Sequence, residues 1–239
     1  TILSNTPLTD CVYKMVLSGD TSAITAPGQF VNIQITGKFL RRPISVCDYD
    51  GDTLTIVYKV VGKGTEILSR MVPEEKLDIL TGLGNGYDLA PAGNSPVLLG
   101  GGVGVPPLYH LAKRLLAMGK QVTVILGFNT QSEVFYEAEF RALGCDVHLA
   151  TADGSAGVRG FVTTAIAGDG IDFDYFYACG PLPMLRALCD SVAQDGQLSF
   201  EERMGCGFGA CMGCSCKTKY GNKRICKEGP VLTKGEIIW

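Results

Sequence analysis

The chain has 239 residues, 46% of them hydrophobic and 19% charged, enough for one large domain or two ordinary ones. A formal charge of −3 and a pI near 5.4 argue against a polyanion as main partner, and no apolar run approaches the roughly 20 residues of a membrane-spanning helix. The start, TILSNTPLTD, has neither the basic nor the apolar stretch of an export signal, so the ten cysteines are expected as thiols in a reducing cytoplasm.

Residues 1–94 read as β-rich. CVYKMVLS (11–18), QFVNIQI (29–35), RPISVCD (42–48) and TLTIVYKVV (53–61) are rich in β-branched and aromatic residues, and SGDTS, TAPGQ and DYDGD separate them. A helix is expected at 64–72 and a further strand at 76–80. Short strands with regular turns predict a closed or nearly closed barrel. After the linker-like AGNSP (92–96) the period changes. PVLLG (96–100) reads as a buried strand. The stretch 106–119, PPLYHLAKRLLAMG, has apolar residues at 108, 111, 112, 115 and 116, the spacing of a helix. Its prolines suit the first turn and Gly119 the C-terminal cap. Strand, helix and strand follow at 121–128, 133–144 and 145–151, and another strand–helix pair at 173–180 and 181–193. Such alternation over 95–200 predicts a parallel sheet covered on both faces. The segment 201–239 shows no clear periodicity and carries half of the cysteines.

The turn LLGGGVGVPPL (98–108) joins the first of these strands to its helix. Gly102 and Gly104 in such a turn let backbone N–H groups approach a phosphate at a helix N-terminus. Alone, it is equally a tight turn of any α/β fold. In the cysteine segment, Cys206, Cys211 and Cys214 fall in the C-x4-C-x2-C spacing of a [2Fe-2S] cluster, with a fourth thiol expected further on. The rival is a structural zinc site, but zinc sites pair two separate C-x2-4-C knuckles, whereas these gaps share Cys211. Using Cys216 as fourth ligand would crowd three thiolates together and leave Cys226 idle. Lys217, Lys219, Lys223, Arg224 and Lys227 either offset the cluster's charge or form a solvated loop. The scattered Cys11, Cys47, Cys145 and Cys189 read as small hydrophobes, and His110 and His148 as structural.

Gly102-Val103-Gly104-Val105-Pro106-Pro107 and Cys179-Gly180-Pro181 with Met184 resemble the nicotinamide domain of the ferredoxin-NADP reductase superfamily. Arg42-Pro43-Ile44-Ser45 is similar to that superfamily's R-x-x-S flavin motif. With VYKV…GKGT (57–65), GLGNGY (82–87) and ERMGCGFGACMGC…CKEGP, the whole chain resembles the iron–sulfur electron-transfer subunits of class 1B dihydroorotate dehydrogenases. The resemblance implies a Greek-key flavin-binding β-barrel (1–94), a nicotinamide-binding α/β domain (95–200) and a small [2Fe-2S] segment (201–239). It implies FAD contacts at Arg42, Pro43, Ile44 and Ser45, at Val57, Tyr58 and Lys59, and at Gly64 and Thr65. NAD(H) would meet Gly102, Gly104, Cys179, Gly180 and Met184. It makes Cys226 the fourth cluster ligand and Cys216 free. The implied partner is an FMN-containing catalytic subunit that oxidises dihydroorotate to orotate, two copies of each chain assembling.

Three departures from the family pattern are visible: a Cys214–Cys226 gap of eleven residues, Thr81-Gly82 in place of Gly-Pro, and Lys59 where arginine is common. No arginine in GFNTQSE (127–133) awaits a 2′-phosphate, which favours NADH over NADPH. No constellation suits proton abstraction from dihydroorotate, so the chain reads as a relay and not a complete reaction. An equivalent subunit of a hydrogenase or a ferredoxin:NAD(P) oxidoreductase would share this chemistry, and a zinc-stapled nucleotide-sensing module is the alternative of another class.

Overall fold

The computed structural model describes residues 1–239. The N-terminal half forms one antiparallel sheet from β1 (Ile2–Pro7), β2 (Val12–Ser18), β3 (Phe30–Ile33), β4 (Arg42–Asp50), β5 (Thr53–Lys59) and β6 (Ile79–Leu83), in the order β1-β2-β5-β4-β3-β6. Alternation along the strands decides what each face meets. On β5, Leu54, Ile56 and Tyr58 enter a core with Met15, Leu17, Val31, Ile33 and Val46. Val57 turns the opposite way, into a second core shared with the C-terminal half. ILSNTP does not announce a strand, yet β1 pairs with β2 from Ile2 opposite Leu17 to Pro7 opposite Tyr13. Its proline is tolerated because the strand lies at the sheet edge. The helix expected at 64–72 is the shorter α1 (Lys63–Ser69). The chain then turns back, and Ile2 N donates to Glu75 O at 2.9 Å. That return shifts the strand expected at 76–80 to 79–83.

The second half contains β7 (Val97–Gly101), α2 (Pro107–Ala117), β8 (Thr123–Phe128), α3 (Glu137–Leu143), β9 (Asp146–Thr151), β10 (Val158–Arg159), α4 (Val162–Gly168), β11 (Phe176–Cys179), α5 (Leu182–Ser191) and β12 (Gly196–Ser199). The helix expected from 133 starts only at Glu137, because Tyr136 sits in the left-handed region at φ 67°. After these come a hairpin of β13 (Ser215–Thr218) and β14 (Gly221–Arg224), then β15 (Val231–Thr233). The large sheet has the order β10-β9-β8-β7-β11-β12-β15. All its pairs are parallel except β12 with β15. A strand from the cysteine segment thus completes the α/β sheet, a link that three residues of sequence could not signal. From β7 the order runs outward through β8, β9 and β10, and then β11 returns to the other side of β7. The strand order therefore reverses between β7 and β11, and a crevice opens beyond their carboxyl ends.

Side chains clasp the two halves together. Asp48 of β4 lies 2.7 Å from Nδ1 of His110 and 2.8 Å from Nζ of Lys113, both on α2. Tyr49 stacks on the His110 ring with centroids 4.3 Å apart, and the Cys47 thiol lies 3.2 Å from the Tyr136 hydroxyl. Burial would raise the Asp48 carboxyl, but hydrogen bonds from His110 and Lys113 hold it below the usual carboxylate value. His110 is thus a structural junction residue. Of the scattered thiols, Cys47 and Cys145 are buried, and Cys11 and Cys189 are half-buried.

His148 is structural too: its ring nitrogens meet Asp169 at 2.7 Å and Asp146 at 3.1 Å. Burial would lower its pKa, but these two carboxylates raise it overall. A raised folded value means its stabilisation is complete below the unfolded pKa of about 6.5 and fades as pH climbs through the folded one. The melting-temperature gap between wild type and His148→Gln is therefore expected to be widest near pH 6 and to shrink toward pH 9 or so. Thermal melts across that range check it; a gap that grows with pH would contradict the assignment.

Candidate functional site

At the crevice, the glycine turn lies directly on the end of β11. A Cβ at Gly104 would fall 2.2 Å from the carbonyl oxygen of Cys179 and 2.6 Å from the nitrogen of Gly180. Glycine at 104 is therefore required by backbone-on-backbone packing, whatever a phosphate asks of it. Met184 fills the space beside Gly101 and Gly180, with its sulfur 2.6 Å from a Cβ built at Gly101. Gly102 has φ +53° and open space around it. The glycine turn and the Cys179–Met184 segment thus form one surface. Next to it is a cleft of about 660 Å³ lined by Val61, Gly180, Pro181, Leu182, Phe200 and Glu201, among others. Val61 comes from the antiparallel half, so the cleft spans both. Burial pushes the Cys179 thiol up to about 12, so it stays neutral.

In the antiparallel half, the Arg42 guanidinium covers the start of α1. A Cβ at Gly64 would fall 2.4 Å from Arg42 Nε, so only glycine leaves room for the guanidinium there. Thr65 is buried, and its hydroxyl accepts from Val61 N at 2.9 Å and Gly62 N at 3.3 Å, so only its backbone is free for a ligand. Tyr58 is likewise committed, because its hydroxyl donates to Asn5 Oδ1 at 3.0 Å inside the sheet core. Ile44 packs on that core too. Pro43 and Ser45 lie on the opposite face, across from Asn32 and Phe30 of β3. Lys59 is half-buried at the end of β5.

The cysteine loop packs against this same sheet face. Cys214 and Cys226 are buried in one cluster with Phe30 and Ile225, and Cys206 packs at its edge. Backbone donors link the four cysteines two by two. Cys211 N donates to Cys206 Sγ at 3.4 Å, and Cys226 N donates to Cys214 Sγ at 3.4 Å. Burial would raise the Cys206 thiol, but backbone N–H groups of Cys211, Phe208 and Ala210 draw it down to about 6. Burial and the Cys214 thiol push Cys226 up to about 12. Two pairs suit a two-iron cluster, which takes two thiolates per iron. Cys216 also packs at the edge of the cluster around Phe30 and Ile225, on β13 opposite Lys223, but belongs to neither pair.

Arg224 ties the loop ends together, donating to Gly209 O at 2.5 Å and pairing with Glu228, whose carboxyl Arg224 holds down to about 2. Lys223 pairs with Glu236. Two of the basic residues that resembled a solvated loop are therefore structural ties. Asn85 of the GLGNGY stretch donates through its side chain to Glu228 O at 2.8 Å, linking the antiparallel half to the cysteine segment.

Residues 201–238 match the family model described as the iron-sulfur cluster binding domain of dihydroorotate dehydrogenase B. Residues 98–190 match the oxidoreductase NAD-binding domain. The dihydroorotate dehydrogenase B (NAD(+)) electron transfer subunit of Geobacillus sp. (strain WCH70) is 45% identical over 251 residues, covering 100% of this chain and 97% of that protein. Its counterpart from Bacillus caldolyticus is 45% identical over 252 residues with the same coverage. The chain belongs to the electron transfer subunits of dihydroorotate dehydrogenase B. A solved NADH-dependent reduced ferredoxin-NADP oxidoreductase superposes with a TM-score of 0.90 at 29% identity, over 100% of this chain and 89% of that one. A ferredoxin NADP+ reductase from Neisseria gonorrhoeae shares the fold at TM-score 0.68 and 18% identity, over 80% of this chain and 89% of that one.

Within this family fold, some residues at the site escaped the sequence. Val61 and the FEER stretch (200–203) line the cleft. FEER lies just past the carboxyl end of β12 (Gly196–Ser199), a strand that the sequence did not announce. Asn32 and Asn85 had no signal in the sequence. No helix of the chain is long and apolar enough to cross a membrane.

Proposed function

We propose that this chain relays electrons between NAD(H) and the FMN of a separate catalytic subunit that oxidises dihydroorotate to orotate in pyrimidine biosynthesis, by way of FAD and a [2Fe-2S] cluster. One observation carries the reading: Cys211 is hydrogen-bonded to Cys206 and Cys226 to Cys214, and Cys206, Cys214 and Cys226 pack with Phe30 on the sheet face that bears Pro43 and Ser45. A flavin exchanges electron pairs with nicotinamide and single electrons with an iron–sulfur cluster, so it belongs between them.

In this reading the chain divides into a flavin unit (1–94), a nicotinamide unit (95–200) and a cluster unit (201–239), the first a Greek-key barrel in which β2 returns beside β5. Arg42, held over Gly64, binds the flavin pyrophosphate through its planar fork. Pro43, Ile44 and Ser45 with the backbone of Val57, Tyr58, Lys59 and Thr65 line the flavin seat. Gly102 and Gly104 shape the pyrophosphate turn for NAD(H), and Cys179, Gly180 and Met184 support the nicotinamide. Cys206 and Cys211 hold one iron, Cys214 and Cys226 the other. Phe208 and Met212, 56% and 61% exposed on the cysteine loop, meet the partner subunit. The complex works in the cytoplasm, where the thiols stay reduced.

Gly64→Ala is expected to displace the Arg42 guanidinium and weaken FAD binding by about tenfold or more, the worth of a charged hydrogen bond. Flavin content of the purified variant checks this, and full retention would remove Arg42 from the pyrophosphate role. The whole reading is tested by mixing the chain with its FMN-containing partner, dihydroorotate and NAD+. NADH must form only when both chains are present. Failure of the mixture, with flavin and iron bound, would leave the chain a relay for another partner such as a hydrogenase.

A further inference from the structure

Only two buried side-chain polar atoms in the chain have no hydrogen-bond partner, and one is Oδ1 of Asn32. Asn32 is 1% exposed, in the middle of β3, across from Pro43 of the flavin motif and on the same sheet face. Its Nδ2 reaches away from the sheet and donates to the carbonyl oxygen of Cys206 at 3.3 Å. Gly207, with φ +76°, presses against the same amide: a Cβ there would fall 2.2 Å from Asn32 Nδ2. Rotating the amide would set Oδ1 against the Cys206 oxygen, so the donor must face the loop and the free acceptor must face elsewhere. Buried carbonyl oxygens are left unpaired where a ligand supplies the donor. A flavin carries such donors, a ring N–H and the ribityl hydroxyls.

We propose that Asn32 is a positioning residue joining the flavin seat to the cluster loop, its Nδ2 holding the first ligand residue, Cys206, while its Oδ1 accepts a hydrogen bond from the bound flavin. The inference rests on the assignment of the flavin and cluster sites above. It makes one side chain set the separation and relative orientation of two redox groups. A leucine of similar size would fill the space and keep neither bond. An aspartate would keep an acceptor toward the flavin but turn a repelling oxygen to Cys206.

The full chain, wild type and both variants, is stripped of flavin and titrated with FAD. The holoproteins are separately challenged with an iron chelator, and the reduced cluster's EPR spectrum is recorded. Asn32→Leu is expected to bind FAD on the order of tenfold more weakly, one hydrogen bond's worth. Asn32→Asp is expected to bind FAD within about twofold of wild type. Both should release iron about tenfold faster and show shifted EPR g-values, because an outer partner of a cluster ligand is lost. If the leucine variant fails to fold, the aspartate variant decides alone. Wild-type iron release and EPR in a folded Asn32→Asp, or wild-type FAD affinity in a folded Asn32→Leu, would overturn the proposal. Should the wild-type chain itself hold neither FAD nor iron, the site assignments fall with it. When it holds both and the variants match it, only the role of Asn32 falls.

Discussion

Cys226→Ser is expected to lose the iron–sulfur cluster while FAD stays bound. Cys226 is 1% exposed, its N–H donates to Cys214 Sγ at 3.4 Å, and its own thiol adjoins that sulfur. Serine offers a hard oxygen where cluster iron favours thiolate, and iron and sulfide should fall about tenfold or more. Cys216→Ser should change neither, because Cys216 stands on β13 opposite Lys223 and outside both thiol pairs. Iron, sulfide and flavin analysis of the two purified variants decides the matter. If iron falls with Cys216 and survives loss of Cys226, the ligand set is wrong.

Gly104→Ala should disable the reaction with NADH and spare both cofactor sites. The added methyl would lie 2.2 Å from Cys179 O and 2.4 Å from Cys179 C, both backbone atoms that cannot rotate aside. Either the glycine turn or the end of β11 must shift, at a cost of about 1–3 kcal/mol. A displacement near 1 Å between the turn and Cys179-Gly180-Pro181 costs a reaction of this kind roughly a hundredfold in rate. Stopped-flow bleaching of the flavin by NADH is therefore expected to slow by about that factor, with flavin and iron contents unchanged. Unaltered bleaching would show that the turn and the strand end do not together seat the dinucleotide.

The order of the motifs and the alternation of strands with helices were legible because each rests on local spacing. C-x4-C-x2-C can be counted in GCGFGACMGC, and the helix of PPLYHLAKRLLAMG can be counted from its leucines. What stayed hidden depends on residues far apart in the chain. Nothing in QFVNIQI marks Asn32 as the side chain that will reach Cys206, and nothing in VLT marks β15 as the edge of the large sheet. Side-chain commitments were equally invisible. Tyr58 and Thr65 stand in stretches that resemble flavin contacts, yet Asn5 and the start of α1 already occupy their hydroxyls. Gly104 was read as a phosphate-turn glycine, but the nearest demand on it comes from β11, 75 residues onward in the chain at Cys179.

The relay itself is tested most directly by anaerobic titration of the purified chain with NADH, followed by visible absorbance and EPR together. The account predicts a coloured protein whose flavin absorbance bleaches and whose reduced cluster gives a [2Fe-2S] signal in the same titration, with the signal lost in Cys226→Ser while the flavin still bleaches. A colourless protein containing zinc, or a flavin that bleaches while an intact cluster stays oxidised, would contradict it.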